Sequence, residues 1–116
     1  MVSGVADAEH ADAIFHALSA RTRRDILATV LRTELSVSDL ARRYPMSFPA
    51  VHKHVTVLER AGLVTKTRHG REQRVRGDVA ALRSAHVLLD GLEVLWRDRV
   101  ERIASLLDEP DEGASP

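Results

Sequence analysis

The sequence predicts a mainly helical fold with one small β-hairpin, and three observations carry that expectation. Apolar residues recur at three- and four-residue steps over most of the chain. Aromatic residues make up only 3% of the 116 positions, so the core has to be built from Leu, Val, Ile and Ala. One segment, Leu63 to Arg76, instead alternates β-branched and polar residues around a glycine. With 44% hydrophobic and 29% charged residues, the chain has the composition of a single globular domain with a core of modest stability.

Each element has its own signature. Ala11, Ile14, Phe15 and Leu18 lie on one helical face, predicting a first helix from Ala8 to Leu18 after a flexible N-terminus, residues 1–7. After Ser19-Ala20-Arg21, the stripe Ile26, Leu27, Val30 and Leu31 predicts a second helix capped by Thr22. Ser36 is placed to cap a third helix, Val37–Tyr44, with Asp39 as the acidic partner of a capping-box-like start. Pro45 ends it by disfavouring helical geometry at Tyr44. Ser47 caps a fourth helix that tolerates Pro49 in its first turn, and Gly62 stands just past its apolar stripe as a C-cap.

A hairpin follows, turning at His69-Gly70, and Asp78 caps the last helix. Leu82, Ala85, Leu89, Leu92, Trp96, Val100, Ile103 and Leu107 step along it by threes and fours as a continuous apolar seam. From Val79 to Leu107 such a helix is about 43 Å long, more than this core needs. Gly91 interrupts it at up to about 1 kcal/mol relative to Ala, marking a kink or a close helix approach. The expected domain covers residues 8–108, followed by an acidic tail, 109–116.

Composition also excludes functions. There is no cysteine, which removes disulfides, thiolate metal sites and cysteine nucleophiles. No apolar run approaches the roughly 18–20 residues of a membrane span, and Met1 to His10 has no signal-peptide pattern. A cytoplasmic address without membrane contact is the expectation. No nucleophile–base pair, phosphate-binding glycine loop or catalytic carboxylate pair stands out, so neither an enzyme nor a cofactor is expected.

The formal net charge is zero, with 17 basic and 17 acidic residues, but it is segregated. Residues 1–20 carry three acidic and no Lys or Arg, residues 21–76 carry 13 basic and 5 acidic, and residues 77–116 carry 4 basic and 9 acidic. A basic block between acidic arms is either a polyanion-binding surface or a solvated face.

Leu35 to Leu63 has the grammar of two helices joined by a short turn. The second helix turns Val51, Val55 and Leu58 inward and Ser47, Phe48, Pro49, His52, Lys53, Thr56 and Arg60 outward. Small, polar and basic residues of this kind suit entry into a DNA major groove. The hairpin would carry Lys66, Arg68, His69, Arg71 and Arg74 to the neighbouring phosphates.

Here the chain resembles the ArsR–SmtB type of bacterial winged-helix repressors. Ala17 to Leu27 is similar to their "ALSDPTRRxIL" opening, and Leu35 to Ala41 to their helix-turn-helix entry. Met46 to Val64 resembles their "SQPAVSKHLKVLREAGLV" recognition segment. The resemblance covers residues 11–76 and implies a winged helix-turn-helix homodimer that represses from an imperfect palindrome in double-stranded DNA. It further implies dimerisation through the first and last helices, here Ile14, Phe15, Leu18 and the seam around Ala85. The DNA-binding set is then Ser47, Pro49, Ala50, His52, Lys53, Thr56, Arg60, Lys66, Arg68, Arg71 and Arg74.

Where the thiolate metal sensors of this type have "ELCVCDL", the chain has Glu34 to Leu40 with Ser36 and Ser38, poor ligands for soft metals. The ending Trp96-Arg97-Asp98-Arg99-Val100 instead resembles a metal-independent branch. Alternatives remain at several residues. His52 contacts DNA or solvent, and Arg23 and Arg24, which the helix dipole does not favour at a helix start, meet DNA, an acidic partner or solvent. His10, His16 and His86 are scattered residues or, if the terminal helices pack together, a nickel or zinc site. A nickel- or zinc-responsive regulator using His and carboxylate ligands is therefore the alternative function. A winged helix that binds only protein is the other, and the five basic residues of its hairpin speak against it. Whether the effector is a metal, a small molecule or neither is open.

Overall fold

A computed structural model describes residues 3–108, with side chains from residue 8 onward. The described residues fall into two compact units, one up to Ala85 and one from His86 onward. The expected acidic tail, 109–116, and the side chains of the expected flexible N-terminus, 1–7, lie outside the described residues.

The first unit holds α1 (Ser3–Leu18), α2 (Arg21–Arg32), β1 (Leu35–Ser36), α3 (Val37–Ala41), α4 (Phe48–Arg60), β2 (Val64–His69) and β3 (Glu72–Gly77), and the start of α5 (Val79–Asp108). Its core is aliphatic, as the composition required. Ile14, Ile26, Val30, Leu40, Val51, Val55, Leu58, Leu63 and Val75 are its most completely buried side chains. The second unit is the remainder of α5, and every described residue from His86 onward is exposed.

Local chemistry sets most of the boundaries. The Ser36 hydroxyl accepts a bond from the Asp39 amide at 3.0 Å, and the Ser47 hydroxyl from the Ala50 amide at 3.2 Å. The Asp78 carboxylate accepts from the Ala80 amide at 2.9 Å and so starts α5. Gly62, at φ +77°, takes the left-handed conformation that closes α4. Its amide donates to the Glu59 carbonyl and that of Leu63 to the Leu58 carbonyl, while the Leu58 and Leu63 side chains are both buried. Gly70, at φ +64°, occupies the first central position of a two-residue turn between the paired His69 and Glu72.

Several expectations are corrected. Thr22 does not cap α2: the helix starts at Arg21, two residues earlier than a Thr22 cap would place it, and its N-cap, Ala20, offers no side-chain bond. The third helix stops at Ala41 rather than Tyr44, in tight turns closed by Arg43 onto Leu40 and Tyr44 onto Ala41. The hairpin gains a third strand, because Leu35 and Ser36 pair with Val75 and Arg74, giving the antiparallel order β1-β3-β2. Ile14 is fully buried in the core of its own chain and Ala85 is 5% exposed, so neither has a surface to offer a second copy. Phe15 and Leu18 are half-buried against the same core.

Candidate nucleic-acid interface

Helix α4 is held from behind. Val51, Val55 and Leu58 are buried on its inner face, which packs against α1, α2 and α3. At 3.6 residues per turn, Pro49, Lys53, Thr56 and Arg60 then share the opposite line. Pro49, Lys53 and Arg60 are exposed, while Thr56 is half-buried and donates its hydroxyl to the His52 carbonyl at 3.0 Å. Ser47, exposed at the helix tip, uses its oxygen as the cap acceptor and keeps its O–H to donate elsewhere. His52 is half-buried on one flank, stacked with Phe48; Ala50 is half-buried on the other.

The hairpin sorts its cations by strand parity. Register places Val64, Lys66, Arg68, Gln73, Val75 and Gly77 on one face, and Thr65, Thr67, His69, Glu72, Arg74 and Arg76 on the other. Lys66 therefore lies on the face of buried Val64 and Val75, not in solvent. Its ammonium pairs with Glu59 of α4 at 3.2 Å, and only 14% of its side chain is exposed. Lys66 is thus removed from the expected DNA-binding set: it ties the hairpin to α4. Arg68 bends back to the Gly70 carbonyl at 3.3 Å, and Arg74 lies 3.8 Å from Glu72, a surface pair of small energy. Arg71 sits exposed in the turn and makes no ion pair among the described residues.

Arg23 and Arg24 also find their partners within the chain. Arg23 donates to the Ala17 carbonyl at 2.8 Å and the His16 carbonyl at 3.0 Å, and Arg24 to the Leu18 carbonyl at 2.8 Å. The two cations cap the C-terminal end of α1, where the dipole favours them. Arg43, exposed in the turn leading into α4, is a further cation that the helical motifs do not single out; its signal lay in the basic block. Among the described residues no three His, Asp or Glu side chains come together as metal ligands. None of the described helices is long and apolar enough to cross a membrane.

Two helices joined by a short turn, the second one outward-facing and followed by a basic hairpin, define a winged helix-turn-helix. Residues 18–67 match the family model described as a helix-turn-helix domain. A helix-turn-helix-type transcriptional regulator of Mycobacterium tuberculosis is 33% identical over 97 residues, covering 84% of this chain and 88% of that protein. An ArsR-like transcriptional regulator from Rhodococcus sp. RHA1 is 33% identical, with a TM-score of 0.78 over 89% of this chain and 97% of that one. A winged helix-turn-helix DNA-binding domain from Mycobacterium bovis, described as homodimeric, shares the fold at 21% identity, with a TM-score of 0.64 over 77% of this chain and 83% of that one.

The chain belongs to the ArsR-like family of helix-turn-helix transcriptional regulators. It is a DNA-binding regulator of that family, not an enzyme.

Proposed function

We propose that this protein is a cytoplasmic repressor that binds a palindromic operator as a homodimer. One observation carries the reading: α4 buries one face completely and leaves Ser47, Pro49, Lys53 and Arg60 exposed along the other. Its N-terminal turns enter the major groove, and the hairpin tip brings Arg71 to a flanking phosphate. The two-fold axis runs along α5, where Leu89, Leu92, Trp96, Val100, Ile103 and Leu107 are all exposed at seam spacing. The Mycobacterium bovis domain of the same fold is homodimeric, which supports a homodimer here. Two copies then present their α4 helices to half-sites about one helical turn apart. With no cysteine in the chain, the trigger that releases DNA is not thiolate–metal binding.

Footprinting purified protein on sites selected from a random duplex pool tests the reading. The expected result is two protected half-sites related by a dyad, with affinity falling about tenfold in Lys53→Ala. A single asymmetric footprint, or unchanged binding by Lys53→Ala, would overturn it.

A further inference from the structure

Phe48 is the one large apolar residue of α4 turned to solvent, with 48% of its surface exposed. It occupies the first turn of the helix, and its ring stacks on that of His52, one turn on, with centroids 6.2 Å apart and planes inclined at 24°. Residues four apart share a helical face, which lets the two rings meet. The Ser47 cap and Pro49 fix the backbone beneath them.

An exposed phenyl ring forfeits burial unless a partner covers it. At the N-terminal turn of a groove-binding helix the partner is the floor of the major groove. Purines present polar N7, O6 or N6 atoms there and cytosine an amine, none of which a phenyl ring can satisfy. Thymine alone presents a methyl group, at C5, the largest apolar surface in the groove. We propose that Phe48, braced by His52, is a specificity-determining residue that packs on a thymine methyl in each half-site. The inference rests on the reading that α4 lies in the major groove.

Uracil scanning tests it. Sites are first selected from a random duplex pool with the full chain, and each thymine is then replaced in turn by uracil, which lacks only the methyl. For the wild type, one replacement per half-site should lower affinity about fourfold, and both together about fifteenfold. Phe48→Ala should bind the thymine and uracil duplexes alike, and pools selected with Phe48→Gln should lose the thymine. Wild-type indifference to every uracil, or undiminished uracil sensitivity in Phe48→Ala, would overturn the assignment. Dimethyl sulfate protection of guanine N7 separates the two levels. Protected guanines with uracil indifference refute the Phe48 assignment alone, whereas unprotected guanines refute major-groove docking and Phe48 with it.

Discussion

The guanidinium of Arg23 lies 3.3 Å from Nδ1 of His54, while its other nitrogens hold the carbonyls that end α1. One side chain therefore joins α1, α2 and the inner flank of α4. An arginine cannot give up its proton, so the facing Nδ1 is an acceptor and the imidazole is neutral. Burial, followed by the charge of Arg23, pushes the His54 pKa below its usual value of 6.5. The folded state thus binds a proton less readily at this site than the unfolded chain does. Its contribution to stability is fully present above pH 6.5 and is lost as the pH falls through the lower folded value. Urea unfolding at about pH 8 and about pH 5.5 should show a larger acid loss in the wild type than in His54→Gln. An equal loss would remove His54 from the linkage.

Tyr44 and Asp25 make a second such link, between the turn after α3 and helix α2. The phenol donates to the carboxylate at 2.6 Å. Burial first, then the bond to Asp25, pushes the tyrosine up to about 12. Its stabilising contribution is complete below pH 10 and disappears as the pH rises through about 12. Tyr44 is the only tyrosine, so the absorbance of phenolate reports it directly. Asp25→Asn should bring the midpoint down toward 10 without reaching it, since burial remains. No movement would mean that the hydrogen bond does not hold in solution.

Gly77 sits where β3 runs under α2. A Cβ there would lie 2.5 Å from Leu31 Cδ2 and 3.0 Å from Leu31 Cα. The side chain could swing away, but the backbone could not without moving α2. Gly77→Ala should cost about 1–3 kcal/mol in chemical denaturation. Adding Leu31→Ala should return only part of it, because the added methyl still meets the backbone of α2.

These relationships mark what was legible in the sequence. Ser36, Ser47, Gly62 and Asp78 act within a few residues of themselves, so their identities predicted the helix ends. β1 was not legible, because two residues have no period and their partner is β3, some forty positions on. Arg23 and Arg24 were visible at the start of α2, but the carbonyls they serve end another helix. Lys66 shows the opposite failure. Its parity with Val64 and Val75 was readable, and counting basic residues obscured it. Ile14 and Phe15 lay on one stripe, which does not reveal that the chain's own core covers the first completely.

The hairpin cations should separate in a salt titration of DNA binding followed by fluorescence anisotropy. Arg71→Ala removes an exposed cation and should weaken binding across sequences, reducing the salt slope by about one. Lys66→Ala removes a cation already paired with Glu59 and should leave the slope unchanged. Equal slopes for Arg71→Ala and wild type would take the hairpin tip off the DNA.

Trp96 provides the test of dimerisation. It is the only tryptophan, it lies on the α5 seam, and 61% of its surface is exposed in a single chain. Leu92 and Val100 stand beside it at seam spacing and are exposed as well. If this seam pairs two copies, the indole is buried in the dimer, and its emission shifts to longer wavelength when dilution separates them. A charge at Leu92 or Trp96 would then have to be desolvated in an apolar interface, a cost of several kcal/mol. Leu92→Glu should therefore sediment as a monomer and emit as the diluted wild type does. Because Leu92 makes no part of the buried core, the variant should keep its helical circular dichroism. A dimer that survives Leu92→Glu in analytical ultracentrifugation would place the two-fold contact elsewhere on the chain.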